Sequence, residues 1–161
     1  MNWNQLFTMQ KQLDTYIQAN HELENNDLFD KKILALLVEV GELANETRCF
    51  KFWSTKSPSE QKIVLEEYVD GIHFILSLGL DDQFSYDGTQ SQTKSKDVTH
   101  VFNNVFEKII AFKQQRSKEN YNQLFGTYIY LGEVLGFDEH NIMQAYFEKN
   151  KVNFERQDKG Y

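Results

Sequence analysis

LLVEVGELANE, Leu36 to Glu46, and its echo EEYVDGIHF, Glu66 to Phe74, decide how this chain reads. Each sets an acidic pair at i, i+3 inside an otherwise apolar run: Glu39 with Glu42, then Glu67 with Asp70. Residues three apart share a helix face, so each pair aims two like charges in one direction. A single E-x-x-E is ordinarily a solvated helix face. Here the neighbours are different. Ile33, Leu34, Leu37 and Val38 lead into the first pair, while Leu65, Val69, Ile72 and Leu76 form a helical stripe through the second. Both helices are therefore expected in a core, where carboxylates are costly unless paired or metal-bound. Hard divalent ions such as Mg²⁺ want oxygen ligands of this kind. Gly41, between the first two acids, costs about 1 kcal/mol against Ala in a helix interior. A tight helix crossing or the close approach of a ligand would account for it.

The rest of the composition narrows the choice. A chain of 161 residues with 40% hydrophobic residues is most simply one domain, long enough to build a core. One Pro and 8 Gly leave few breakers, which favours helices over a many-turned β protein. A net charge of -7 argues against a nucleic-acid-coating surface. An acidic protein handling an anionic substrate needs a metal to bridge the two. Cys49 is alone, so no intrachain disulfide is available, and it reads as a spare thiol. The apolar run Ile33 to Val38 is too short to span a bilayer, and MNWNQLFTMQ lacks a signal pattern, so the expectation is a cytoplasmic protein without a membrane.

Taken in order, Trp3, Leu6, Phe7, Gln10, Leu13, Tyr16 and Ile17 step at helical spacing and predict a helix over about 3–19, with Gln10 and Asp14 one turn apart. HELENND reads as a loop, with Asp27 or Asp30 capping a second helix over about 28–48. RCFKFWSTKSPSE carries Arg48, Lys51, Trp53 and Lys56, cations and aromatics that suit a phosphorylated aromatic ligand or simply plug the end of a bundle. Ser57-Pro58-Ser59-Glu60 resembles a capping box opening a third helix to about Leu80. The stretch 81–99 turns polar and reads as an insertion or mobile loop. Three more helices follow, the fourth capped by Asp97, the fifth closed by Gly136 and the sixth, over about 139–156, capped by Asp138. The whole predicts an all-α bundle of about six helices in a single domain.

Three chemistries compete for the acids. Glu39, Glu42, Glu67 and Asp70 can hold Mg²⁺ against a polyphosphate and activate water, with Lys51, Lys149, Arg156 and Lys159 as candidates for the outer phosphates. A di-iron bundle needs Glu-x-x-His from two helices, and Asp70-x-x-His73 offers only a variant of one. A non-catalytic helical interaction module is the third reading, and it leaves the acid pairs and the terminal cations unrelated.

With 24 residues between Glu42 and Glu67, the order E-x-x-E then E-x-x-D resembles the all-α nucleoside triphosphate pyrophosphatases that include MazG-like enzymes. MQKQLD, EVGELANE, KFW, EEYVDGIHF and NFERQDKGY together look like the dimeric, all-α dUTPase branch, in its phage type. The resemblance spans Met9 to Tyr161 and leaves 81–99 unexplained. It implies hydrolysis of dUTP to dUMP and pyrophosphate with two or more Mg²⁺ per site, in a homodimer. A relative of different base specificity is the alternative. The implied metal ligands are Glu39, Glu42, Glu67 and Asp70, with Glu42 or Glu39 acting on the water. Gln10, Asp14, Trp53, Phe74 and Asn153 would surround uracil, and His73 the deoxyribose. Lys149, Arg156, Lys51 and Lys159 would meet phosphates, with Tyr161 closing near the nucleoside. Relatives often carry Asn where this chain has Asp14, and a carboxylate cannot donate to a uracil carbonyl as an amide does. Phage relatives also contact a transcriptional repressor, which makes 81–99 the candidate surface for such a partner.

Overall fold

The computed structural model describes residues 1–23 and 27–161, so part of the expected HELENND loop lies outside the described residues. Among the described residues there are six helices and no strand: α1 Trp3–Asn20, α2 Phe29–Thr47, α3 Gln61–Asp81, α4 Val98–Gln114, α5 Lys118–Val134 and α6 Glu139–Asp158. None is long and apolar enough to cross a membrane.

Most helices begin where a short polar side chain takes up a free backbone N–H. Asp97 accepts from His100 N at 3.0 Å, Ser117 from Asn120 N at 3.1 Å and Asp138 from Asn141 N at 2.8 Å. Ser117 starts α5 four residues before Tyr121. At α2 the capping position belongs to Leu28, and Asp27 accepts from Phe29 N at 3.0 Å instead. At α3 the expected capping box does not form. Instead of starting at Pro58 behind a Ser57 cap, the helix opens after Glu60 with no side-chain cap, and Ser59 is bound to the end of α2: its hydroxyl donates to Glu46 and its N–H to the Glu46 carbonyl at 3.0 Å. That pair of bonds ties the end of α2 to the start of α3 and sets how the two acidic helices meet.

The central helix is α3, which packs on α1, α2, α5 and α6, while α4 lies on α2 and α5. Val69, Ile72, Ile75, Leu76 and Leu78 are completely buried, each contributing about 1.5–3 kcal/mol of transfer free energy. On α2 the core stripe is Ile33, Leu36, Val40 and Leu43. Leu34 and Val38 are 62% and 49% exposed, against the expectation that the whole apolar run is core. A run of consecutive apolar residues covers more of a helix than one neighbour can bury.

Tyrosines set the spacing of α3 and α5. The Tyr68 and Tyr128 rings stack at 4.7 Å, and each hydroxyl donates to the other residue's carbonyl, at 3.0 and 2.7 Å. They lie over Gly71 and Gly132. A Cβ on Gly71 would sit 2.7 Å from Tyr128 Cζ, and one on Gly132 would sit 2.6 Å from Tyr68 Cζ. Because both rings are hydrogen-bonded in a sealed core, Gly71→Ala is expected to destabilise by about 1–3 kcal/mol, checked by urea unfolding. Gly41 differs, since a Cβ there would meet nothing within 4 Å. A tight helix crossing is therefore not the reason for it.

The segment 82–97 has no helix or strand but is strapped along α5 rather than left free. Tyr86 stacks on Phe125 at 4.5 Å, Asp87 N donates to Asn122 at 2.8 Å, and Tyr130 OH donates to the Ser95 carbonyl at 3.0 Å. Polar composition hid these anchors because two of the three use backbone atoms of the segment.

Candidate active site

The packing of α2 against α3 brings the two acidic pairs face to face. One oxygen each from Glu39, Glu67 and Asp70 lies within 4.8 Å of the others. Glu39 Oε2 and Glu67 Oε2 are buried without a hydrogen-bond partner. Burial, then the charges of Asp70 and Glu42, push the Glu39 carboxyl up from 4.5 to about 8. Burial, then Asp70 and Glu42, push Glu67 up to about 7. Asp70 is also raised, by burial, against the opposing pull of Lys149. Glu42 is exposed and stands outside the close group of three, crowding both glutamates with its charge. Like charges gathered at partly buried positions are costly unless a cation joins them. An all-oxygen donor set with orphaned buried oxygens fits a hard divalent cation. The triad can hold one.

A protein cation already reaches the cluster. Lys149 of α6 places Nζ 3.1 Å from Asp70 Oδ2 and 3.1 Å from Glu66 Oε1, with its side chain only 11% exposed. Arg156, nearly two turns further along α6, adds a weaker pull on Asp70. Its guanidinium lies 5.1 Å from the Tyr161 ring centroid, and Tyr161 N donates to the Arg156 carbonyl at 2.9 Å. Lys159 is exposed at the end of α6, and Asn153 is half-buried on the same helix.

One turn beyond Asp70, α3 carries His73 into a buried polar network with α1 and α6. His73 Nδ1 is 2.7 Å from Gln10 Oε1, which also accepts from Tyr146 OH at 2.8 Å, and the His73 and Tyr146 rings stack at 4.2 Å. Gln10 Nε2 donates to Asp14 Oδ1 at 2.9 Å, and Ser77 Oγ donates to Asp14 Oδ2 at 2.7 Å. Burial, with a smaller push from Lys149, lowers His73 to about 3, so the ring is neutral near pH 7. Asp14, Phe74 and Ser77 border a cavity of about 300 Å³ with Ile17, Leu28 and Ala35. Phe74 and Ser77 lie one and two turns beyond Asp70 on α3, about 6 and 10 Å along the axis.

The structure thus gathers Gln10, Asp14, His73 and Phe74 on and beside α3, within about a turn or two of Asp70. Trp53 and Lys51 are not gathered there. Trp53 is 65% exposed on the α2–α3 connection, edge-on to Phe52 at 5.0 Å, and Lys51 lies 5.7 Å from the Phe50 ring. That connection leaves the bundle at Arg48, where φ is +58°, and its aromatics cluster with each other. Tyr146 and Ser77 were missed because each sits in an apolar stripe and reads as core. Asn150 was missed too. It is 6% exposed on α6, with Nδ2 unpartnered, and only its place one residue after Lys149 hints at it.

A family model described as dUTPase matches residues 2–161. No curated protein matches the chain. With a match over nearly the whole length, and an all-helical fold that brings acidic pairs from two helices together, the chain belongs to the all-α dUTPase family.

Proposed function

We propose that this chain hydrolyses dUTP to dUMP and pyrophosphate in a Mg²⁺-dependent reaction. The observation that carries the reading is the convergence of Glu39, Glu67 and Asp70, with two buried oxygens lacking partners, in a chain of the dUTPase family. Glu39, Glu67 and Asp70 hold the metal, with Glu42 completing the set from the solvent side. A Mg²⁺ ion held there would offset the carboxylate charge and supply Lewis acidity toward the triphosphate and the attacking water. Glu42 or Glu39 orients that water and accepts its proton. Lys149 and Arg156 meet the outer phosphates, and Lys159 lies near enough in sequence to join them as the end of α6 closes. Lys149 is held at the cluster by Asp70 and Glu66, so it is already in place when an anion arrives.

The nucleoside extends from the acids along α3. Phe74 and the cavity beside it receive the base, with Asn153 of α6 and Tyr161, just beyond the end of that helix, closing over it, and His73 facing the sugar. Trp53 and Lys51 reach a nucleotide only if their connection folds inward or a second chain presents them. The exposed stripe of Leu34 and Val38 on α2 supports a homodimer. The stretch 81–99 is a surface for a repressor-like protein partner, since its non-helical part, 82–97, is fixed to α5 and exposes Gln83, Ser85, Gln92 and Lys94 between side chains, such as Tyr86, that pack inward.

The test is pyrophosphate release from dUTP, dCTP, dTTP and UTP, with Mg²⁺ and with chelator. Turnover of dUTP alone, abolished by chelator, is expected. Equal turnover of all four would overturn the base assignment, and turnover in chelator would overturn the role given to the acids.

A further inference from the structure

Asp14 is the residue that fits least well into a uracil pocket, because a carboxylate has no hydrogen to give to a carbonyl. Its bonds point elsewhere. One oxygen accepts from Ser77 Oγ at 2.7 Å and the other from Gln10 Nε2 at 2.9 Å. An ionised carboxylate only accepts, so Gln10 must turn its NH₂ toward Asp14 and its oxygen toward His73. That oxygen also only accepts, and Tyr146 OH supplies one hydrogen at 2.8 Å. The other must come from His73 Nδ1, at 2.7 Å. A neutral imidazole carries one hydrogen, so Nε2 keeps a bare lone pair. His73 is 6% exposed, and its Nε2 is buried without a partner.

We infer that Asp14 is a positioning residue: through Gln10 it locks His73 as the Nδ1–H tautomer, so that Nε2 is held ready to accept a hydrogen bond from a ligand O–H or N–H. The inference rests on the nucleotide reading only for the ligand's identity. A deoxynucleotide offers such donors at its sugar hydroxyl and at a pyrimidine N–H. An Asn at this position would permit both directions of the relay. If its amide nitrogen faced Gln10, the Gln10 amide would turn over and His73 would carry its hydrogen on Nε2, which closes the acceptor.

Imidazole ¹⁵N chemical shifts read the tautomer directly. In histidine-labelled, metal-free protein at pH 7, with His73→Gln identifying the signals, His73 is expected to show a protonated Nδ1 and a pyridine-like Nε2. Asp14→Asn should mix or invert the pair and raise KM for dUTP about tenfold, the loss of roughly one hydrogen bond, with kcat changed much less. Ser77→Ala should keep the tautomer, since Asp14 retains its bond to Gln10. A protonated Nε2 in the unmodified chain would overturn the inference, as would an Asp14→Asn protein with unchanged shifts. Adding dUMP should move the Nε2 signal as it accepts a hydrogen bond. A wild-type ring with the assigned tautomer that ignores dUMP would uphold the relay and overturn the nucleotide reading of the pocket, which separates the two failures.

Discussion

Glu39→Gln is expected to lower kcat/KM for dUTP by roughly 10²–10³-fold, because a metal ligand contributes several kcal/mol and each 1.36 kcal/mol is tenfold in rate. The same substitution should raise the melting temperature of the metal-free protein at pH 8. Without a cation, Glu39, Glu67 and Asp70 repel one another at partly buried positions, so the fold binds their protons more tightly than the unfolded chain does. Groups raised in this way contribute stability that is fully present below the unfolded value, near 4.5, and is lost as pH rises through about 7 for Glu67 and about 8 for Glu39. His73 acts in the opposite direction. Its folded value is lowered from 6.5 to about 3, so its contribution is present above 6.5 and lost as pH falls toward 3. The metal-free protein should therefore be most stable in weakly acidic solution. Glu39→Gln should flatten the alkaline side of that profile and leave the acidic side alone. A gain on the order of 3 °C at pH 8, equivalent to about 1 kcal/mol in a chain of this size, would be absent at pH 5. Thermal melts in chelator across pH 4–9 make the comparison. An inactive variant that is also less stable at pH 8 would mean that the carboxylate supports the fold rather than straining it.

That opposition of stability and function was legible in the sequence as an anomaly, charge at i, i+3 inside apolar helices, and the fold class followed from periodicity and the scarcity of Pro and Gly. What local pattern could not show is how distant segments choose among equivalent neighbours. Ser57 looked like a cap because spacing is all that a sequence displays, but α3 begins only at Gln61, after Ser59 has been tied to Glu46 where α2 and α3 come together. Leu34 and Val38 looked like core because helical period alone does not say which face meets a partner. Gly71 and Gly132 read as ordinary breakers, and their purpose appears only when Tyr128 and Tyr68 lie across them. Asp14 and Gln10 could be paired by spacing, yet the far end of the relay is His73 of α3, held beside Gln10 together with Tyr146 of α6, and helices so distant in sequence cannot be matched by period alone.

Lys149 was read as a phosphate ligand, and the structure gives it a second role whose separation from the first is testable with Lys149→Met. Burial works against the Lys149 charge, but Asp70 and Glu66 outweigh it and hold its pKa above the ordinary value. It is therefore a counter-cation for the acid cluster wherever no metal supplies one. Replacing it with Met keeps most of the side-chain volume and removes the charge, leaving Asp70 without its ion partner. Breaking a buried pair costs 3–5 kcal/mol, but Glu66 is 56% exposed and solvent shares the load, so about 1–3 kcal/mol is expected at pH 8 in chelator. The loss should shrink at pH 5, where the raised carboxyls take up protons, and shrink again with saturating Mg²⁺, which binds the native state and supplies the missing charge. Removing a competing cation should also tighten Mg²⁺ binding several-fold to about tenfold, since like charges no longer oppose each other at the cluster. Turnover should move the other way, with kcat/KM for dUTP falling about 10–100-fold as a phosphate contact is lost. Calorimetric titration of Mg²⁺ and steady-state kinetics on the same preparation read the two signs together. Weaker Mg²⁺ binding by the variant would show that Lys149 shapes the carboxylates instead of competing for them, and an unchanged KM would remove it from the phosphate site.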